Sequence, residues 1–332
     1  MAASQAGDGG AFAQLAERHR GELEVYCYRM LGSLEDAEDV VQEVLVRAWR
    51  KRATFQGRAS FRAWLYRIAT NACLDELDRR PRRVLAQQVV PAADPNATPL
   101  PSADLPWLQP IPDSVLDAAV ATDAGPAEAT IAKETIELAF LAAIQYLPPR
   151  QRAVLILRDA LGWSATETAT LVDTSVAAVN SALQRARGTL KNHLPGGRLE
   201  WAAGADPDAE ERRLLQSYVE AWERADVTAL VALLREDVRL AMPPSPTWFQ
   251  GREAVATFLE RFPLADGGPA HPRVPTRANR QPAFGMYIRR EGESETRAFA
   301  IEVLRIQDGL IAEIDYFLAP ELFPAFGLAP TL

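Results

Sequence analysis

Cysteine is almost missing from these 332 residues: Cys27 and Cys73 stand alone, each inside an apolar pattern of helical spacing. That excludes a disulfide-stapled scaffold and fits buried thiols in a reducing cytosol. Lysine is scarce too, with only Lys51, Lys133 and Lys191 among 36 basic residues, and three histidines form no Cys/His cluster of metal-site spacing. No apolar run approaches the roughly 18 residues that a membrane-spanning helix needs. The opening MAASQAGDGG lacks the basic-then-apolar order of a secretory leader. A phosphate-cradling glycine loop is also missing, so neither metal nor cofactor is implied. What is present is an acidic chain, formal charge -8 and 48% apolar, read as soluble and cytoplasmic and long enough for two or three domains.

The acidity is uneven. Residues 1–80 carry 12 basic and 12 acidic side chains, 81–127 carry 2 and 5, 128–204 carry 8 and 7, and 205–332 carry 14 and 20. The local field governs contact with nucleic acid, so the first and third segments remain able to meet DNA. Nine prolines fall within 81–127 and few large apolar residues besides Leu105, Trp107 and Leu108, so this stretch reads as an extended, mostly disordered linker.

Within 11–80 three helices are expected. Phe12, Leu15, Ala16, Leu23, Tyr26, Cys27 and Met30 recur at three- and four-residue steps up to Gly32. Ser33 with Asp36 opens a second helix, whose apolar side is Ala37, Val40, Val41, Val44 and Ala48. Asp36, Asp39 and Glu43 stand at i, i+3 and i+7, an acid stripe with Arg47, Arg50, Lys51 and Arg52 behind it; a solvated face and a basic partner are both compatible with that order. Ser60 caps a third helix, which carries Trp64 and several arginines beside a glycine-containing loop. Taken alone Trp64 reads as a core residue, yet aromatics interleaved with arginine are also what a single-strand binder uses.

YRMLGSLEDAEDVVQEVLVRAW followed by FQGRASFRAWLYRIATNACLDELDRR resembles region 2 of the extracytoplasmic-function sigma factors of the sigma-70 superfamily. The resemblance implies polymerase contact for Asp36, Asp39 and Glu43. For the −10 promoter strand it implies Gln56, Gly57, Arg58, Ser60, Trp64, Asn71 and Asp75.

In 128–195, Leu147-Pro148-Pro149 ends one helical pattern, Ser164 with Glu167 caps a short helix, and Asp173-Thr174-Ser175 turns into a longer one. Short helix, tight turn and longer basic-ended helix is the order of a DNA-reading helix-turn-helix, although a plain helical hairpin has the same outline. LPPRQRAVLILRDALGWSATETATLVDTSVAAVNSALQRARGTL resembles region 4 of the same sigma factors, which binds the −35 element. By that resemblance Ser175, Ala177, Ala178, Asn180, Ser181, Gln184 and Arg185 face the groove, and Arg187 and Lys191 lie near phosphates. Many members place Lys or Arg where this chain has Asn180 and Ala182, which implies a weaker phosphate grip and a shallower salt dependence.

Residues 205–332 exceed what polymerase recruitment needs. Helices capped at Asp206-Pro207 and Asp226, a strand at 238–242, a helix through Val255, Phe258 and Phe262, then strands at 273–280, 283–290, 296–307 and 310–317 are expected. Helices followed by a run of antiparallel strands describe an α+β cone. DxxLLQSYVEAWERADVTALVALLREDVRLAMPPSPTWFQGREAV, closing on GLIAEIDYF, resembles a SnoaL-like domain of the nuclear-transport-factor-2-like fold, over about 205–328. In some sigma factors such a domain is thought to regulate the sigma unit in cis. His271, Asp315, Glu313, Tyr218 and Tyr287 are the candidates for acid-base chemistry, with no motif to join them. Trp222, Trp248, Phe249, Tyr287 and Phe317 are the candidate lining of a small-ligand pocket.

The fold class is therefore multidomain: two all-α sigma domains, a region 2 helical bundle at 11–80 and a region 4 helix-turn-helix at 128–195, joined by the 81–127 linker, plus the α+β cone. The function implied is that of an alternative sigma factor rather than an enzyme, with core RNA polymerase and promoter DNA as partners, no membrane, and a small ligand or an intramolecular contact at the cone. A stand-alone helix-turn-helix regulator and a SnoaL-type enzyme with a DNA-binding arm are the competing classes.

Overall fold

The computed structural model describes residues 8–57, 59–120, 136–194, 208–264, 271–289 and 295–332. The chain divides into two compact units, Met1–Arg83 with Leu108–Ala203, and Val84–Trp107 with Gly204–Leu332.

The first unit is helical. Helix α1, Gly9–Leu31, starts at Asp8, whose carboxylate accepts the Ala11 N–H at 2.9 Å, and stops at Gly32 in the left-handed region, φ 73°. Glycine is required there twice over, because a Cβ would also lie 2.8 Å from the Leu108 side chain. Helix α2, Leu34–Lys51, is capped by Ser33, and α3, Phe61–Arg79, by Ser60, as their sequences imply. Their apolar sides meet α1 in a core that includes Leu23, Cys27, Val41, Val44, Leu65, Ala69 and Cys73. Cys27 and Cys73 are buried, and their mutual hydrogen bond together with burial holds the Cys27 thiol well above its ordinary range.

Helix α4, Asp113–Val120, packs on α1 at Gly21, where an added Cβ would stand 3.2 Å from the Ala119 backbone. Helix α5, Leu138–Ile144, is shorter than the pattern expected over 128–146: Ile136 and Glu137 precede it outside the helix, Glu137 as its extended N-cap, and 128–135 lie outside the described residues. Then come α6, Pro149–Leu155, which runs on into a wider turn at Ile156–Ala160, α7, Ala165–Leu171, and α8, Val176–His193. The capping box at Ser164 and Glu167 is present, and Asp173 makes the turn at φ 52°. Arg152 ties this half to α1. Buried at 2% exposure, it donates to the Gln145 side chain at 2.7 Å, to the Gln145 carbonyl at 3.0 Å and to the Met30 carbonyl. Trp163 adds a ring contact with Tyr66 at 5.3 Å.

The second unit is the expected cone, with two differences. Helices α9, Ala209–Glu223, and α10, Val227–Ala232, lead into β1, Leu234–Ala241. The observed cap of α9 is Asp208, which accepts the Glu210 and Glu211 N–H groups; Asp206-Pro207 lies outside the described residues. Strand β2, Trp248–Gln250, precedes α11, Arg252–Arg261, and β3, Arg273–Ala278, β4, Gln281–Ile288, β5, Arg297–Gln307, and β6, Leu310–Phe317, complete a sheet of order β2-β1-β6-β5-β4-β3. The first difference is that β1 pairs parallel to β6. The expected antiparallel run holds from β3 to β6, and β1 also pairs antiparallel with β2; β1 reaches β6 through a long connection, and local patterning carries no signal for that direction.

The second difference concerns the linker. Residues 84–107, read as mostly disordered, lie against the cone as a strap. The Ala93 N–H donates to the Trp248 carbonyl at 2.8 Å, Leu100 N–H to Thr247 Oγ1 at 2.8 Å and Ala103 N–H to the Pro244 carbonyl at 2.9 Å. In return the Trp248 indole donates to the Val90 carbonyl at 2.8 Å and Ser245 Oγ to the Leu100 carbonyl at 2.7 Å. Val84, Ala86 and Trp107 form a small apolar cluster with Ala241. Proline-rich composition lowers the number of backbone donors; those that remain at these three positions find acceptors on the cone.

Candidate functional site

The α2 face presents two carboxylates rather than three. Asp39 and Glu43 are exposed, whereas Asp36 is 8% exposed and carries ion pairs to Arg80, at 2.6 Å, and to Arg83. This corrects the stripe: one helical turn separates 36 from 39, but Asp36 stands in the first turn, over the arginines that follow α3. The run Arg79-Arg80-Pro81-Arg82-Arg83 is the sequence signal that could have revealed it. Gln109 completes this corner by accepting from Ser33 Oγ at 2.8 Å and from the Leu34 N–H at 3.1 Å. Glu43 is paired to Arg47 at 2.8 Å, and Arg47 reaches Asp75 on α3 at 3.0 Å.

Between α2 and α3 the chain forms an aromatic ledge. Trp64 is half-buried, edge-on to Phe55 at 5.5 Å and tilted against Phe61 at 5.7 Å, so it is neither a plain core residue nor free. Gln56 and Gly57 are exposed beside it, Gly57 at φ 70° with open space where a Cβ would stand, and Arg58 lies outside the described residues. Ser60 is occupied as the α3 cap, accepting the Ala63 N–H at 3.1 Å. Asn71 and Asp75 are exposed on the same helix, Asp75 held by Arg47. Half-buried rings beside an open, polar loop suit stacking on unpaired bases.

Helix α8 sorts its residues cleanly. Val179, Leu183, Ala186 and Leu190 are buried, while Ser175, Ala177, Ala178, Asn180, Ser181, Gln184, Arg185, Arg187 and Lys191 are exposed. Ser175 Oγ accepts the Ala178 N–H at 3.2 Å, and Arg185 donates to Ser181 Oγ at 2.6 Å. Arg187 is a partial correction: its guanidinium makes two bonds to Asp159, at 2.7 and 2.8 Å, which raise its affinity for the proton and offset its charge toward any phosphate.

In the cone the sheet, α9 and α11 surround a cavity of about 330 Å³. Of the five aromatics expected to line a pocket only Trp222 does so. Phe249 is in the core, stacked on Phe258 at 4.7 Å; Trp248 lies under the strap. Tyr287 packs edge-on against Phe323 at 5.2 Å, and its hydroxyl donates to the Ala329 carbonyl at 2.9 Å. Phe317 alternates with Tyr316, which does line the cavity, and so points to the other face.

Beside the cavity lies a polar cluster that the sequence did not reveal. Glu302 accepts from Arg273 at 2.8 Å and from the Tyr218 hydroxyl, with the two charged side chains 0% and 1% exposed. Arg273 also stacks over Trp222, 3.7 Å from the ring centre. Tyr218 is held in the phenol form, far above its ordinary range, by burial and by the Glu302 charge. Of the acid-base candidates, His271 lines the cavity, whereas Glu313 pairs with Arg239 at 2.5 Å and Arg305 at 2.6 Å, and its neighbour Asp315 is buried. The structure does not bring these five together. Among the described residues no three side chains could hold a metal ion and no helix is long and apolar enough to cross a membrane.

Residues 15–83 match the Sigma-70 region 2 family, 137–190 Sigma-70 region 4, and 215–314 the SnoaL-like domain. The chain is 41% identical over 325 residues to the ECF RNA polymerase sigma factor SigG of Mycobacterium tuberculosis, covering 97% of this chain and 85% of that protein. It is 29% identical over 189 residues to the ECF RNA polymerase sigma factor SigW of Bacillus subtilis, covering 57% of this chain and 91% of that one. Among solved structures, the crystal structure of the Mycobacterium tuberculosis extracytoplasmic function sigma factor SigJ superposes with a TM-score of 0.61 at 21% identity, over 96% of this chain and 99% of that one, and shares the fold.

Proposed function

The chain belongs to the extracytoplasmic-function sigma factors, and from that premise we propose how its surfaces divide the work of binding core RNA polymerase, recognising a promoter and opening it. It is an alternative sigma factor, and its place of work is then the cytoplasm. Asp39 and Glu43 dock on core polymerase; Gln56, Gly57, Trp64 and Asn71 take the unpaired −10 strand; Asn180, Gln184 and Arg185 read the −35 element in the major groove, Asn and Gln suiting adenine and Arg guanine. The observation that carries this division is the exposure of all the α8 groove residues on the side opposite its buried seam.

The cone and its strap restrain the two DNA-binding halves. Those halves share one compact unit, held by Arg152 and Trp163, whereas −10 and −35 elements lie some 25 base pairs apart, roughly 85 Å of duplex at about 3.4 Å each. A compact unit of some 180 residues has a radius of gyration near 16 Å, so the halves must separate to reach both elements. The chain that would let them separate is seated on the cone.

Promoter-specific transcription with core polymerase tests both statements. Asp39→Arg combined with Glu43→Arg should abolish output by preventing assembly, and Trp248→Ala, which unseats the strap, should raise output several-fold. Full activity of the charge-reversed chain would refute the docking assignment, and lower output from Trp248→Ala would reverse the sign of the restraint.

A further inference from the structure

Helix α8 begins with an apolar turn that the fold does not use. Val176, Ala177 and Ala178 are all exposed, and Val176, at 40%, is one of five large aliphatic side chains among the described residues that stand so far into solvent. The seam of the helix lies elsewhere, on Val179, Leu183, Ala186 and Leu190. Helix formation does not favour valine at such a place either, because a β-branched side chain in solvent supports a helix less well than Lys, Gln or Glu. The neighbouring Ser175 is occupied, its Oγ accepting the Ala178 N–H at 3.2 Å.

The position of Val176 supplies a partner. In a helix-turn-helix the N-terminal residues of the second helix meet base edges. Val176, Asn180 and Gln184 stand at four-residue steps and are exposed together, so a groove that receives the amides of Asn180 and Gln184 receives the Val176 isopropyl group one turn ahead of them. An aliphatic group can offer a base no hydrogen bond, and it shields polar base atoms from the water that would otherwise satisfy them. The major groove carries one apolar feature, the 5-methyl group of thymine. Alanines at 177 and 178 keep the rest of the turn small, which lets this end of the helix come close to the base edges.

We propose that Val176 is a specificity-determining residue of the −35 contact, packing its methyl groups on the 5-methyl group of one thymine and so selecting a T·A pair where the first turn of α8 enters the groove. This rests on the assignment of α8 to the −35 element made above. It adds an apolar determinant to the hydrogen-bonding readout of Asn180, Gln184 and Arg185.

The test uses the full chain assembled with core polymerase and a duplex promoter selected with that holoenzyme. Each thymine of the −35 element is replaced in turn by deoxyuridine, which removes the methyl group and keeps the base pairing, and affinity is read by competition. At one thymine the replacement should weaken binding about three- to four-fold, the worth of one buried methyl group. Val176→Ala should bring the loss at that position below about 1.5-fold while the other positions respond as in the parent, and Val176→Ser should do the same. Both variants should keep the parent's thermal transition, since the side chain they shorten is exposed. With cytosine at that position the parent should bind less well still, and 5-methylcytosine, which restores the methyl group on the other pyrimidine, should recover about two- to three-fold. An element in which no thymine depends on its methyl group, or a deoxyuridine loss undiminished in both variants, would overturn the proposal. Asn180→Ala and Gln184→Ala separate that failure from failure of the underlying reading. If binding still depends on those two residues and on the −35 sequence, α8 is in the groove and Val176 is idle there; if it is indifferent to both, the −35 assignment of α8 falls and the role of Val176 falls with it.

Discussion

At the residue scale, neighbouring carboxylates do different work according to what faces them. Asp36→Ala should cost about 1–3 kcal/mol in denaturant unfolding, because it removes a buried carboxylate's charge-assisted bonds to Arg80 and Arg83. Asp39→Ala should be within about 0.5 kcal/mol of the parent, since that side chain is exposed. A second pair lies on β6. Glu313 holds both Arg239 and Arg305, and Asp315 is left with Oδ1 lacking a hydrogen bond among the described residues. Burial pushes the Asp315 carboxyl up to about 7 from an ordinary 3.8. The folded state therefore binds an extra proton between these values, and its stability falls as pH rises through that window, with a slope approaching about 1.4 kcal/mol per pH unit. Asp315→Asn should flatten the dependence of the cone's melting temperature between pH 5 and 8 and raise it at pH 8; an unchanged profile would show that Asp315 stays ionised when folded. Residue identities in the sequence marked Asp36, Asp39 and Glu43 as a set, but the burial of one of them depends on arginines more than 40 positions away.

At the scale of elements, caps and amphipathic periods made α1, α2, α3, α7 and α8 legible, because those signals are local: Gly32, Ser33, Ser60, Ser164 and Ser175 all sit where their helices begin or end. The hairpin strands were legible for the same reason. Parallel pairing of β1 with β6 was not, since it joins residues some 75 apart and leaves no trace in either strand's alternation. The α8 helix gives a test at this scale. Lys191→Ala should reduce the slope of promoter affinity against salt by about one counterion, whereas Arg187→Ala should change it less, its charge being offset by Asp159. Equal changes from both would show that DNA draws Arg187 away from Asp159.

At the scale of the whole molecule, composition misled where it was most extreme. Nine prolines in 81–127 read as a disordered tether, yet α4, Asp113–Val120, forms directly after Pro112. A proline-rich stretch also loses less entropy when fixed, and here it is fixed along the cone by Ala93, Leu100, Ala103 and Val90. Native-state hydrogen exchange should show the Ala93, Leu100 and Ala103 amides protected together with β1, and exchange at free-coil rates would contradict the strap. The strap also imposes an order on synthesis. It leaves the ribosome some 210 residues before Phe317 completes the sheet that seats it. At about 5–20 residues per second, that is on the order of 10–40 s. Both DNA-binding halves are translated once His193 is passed, so for the last 124 residues to Phe317, about 6–25 s at that rate, each growing chain has both halves made and nothing to tie their connector.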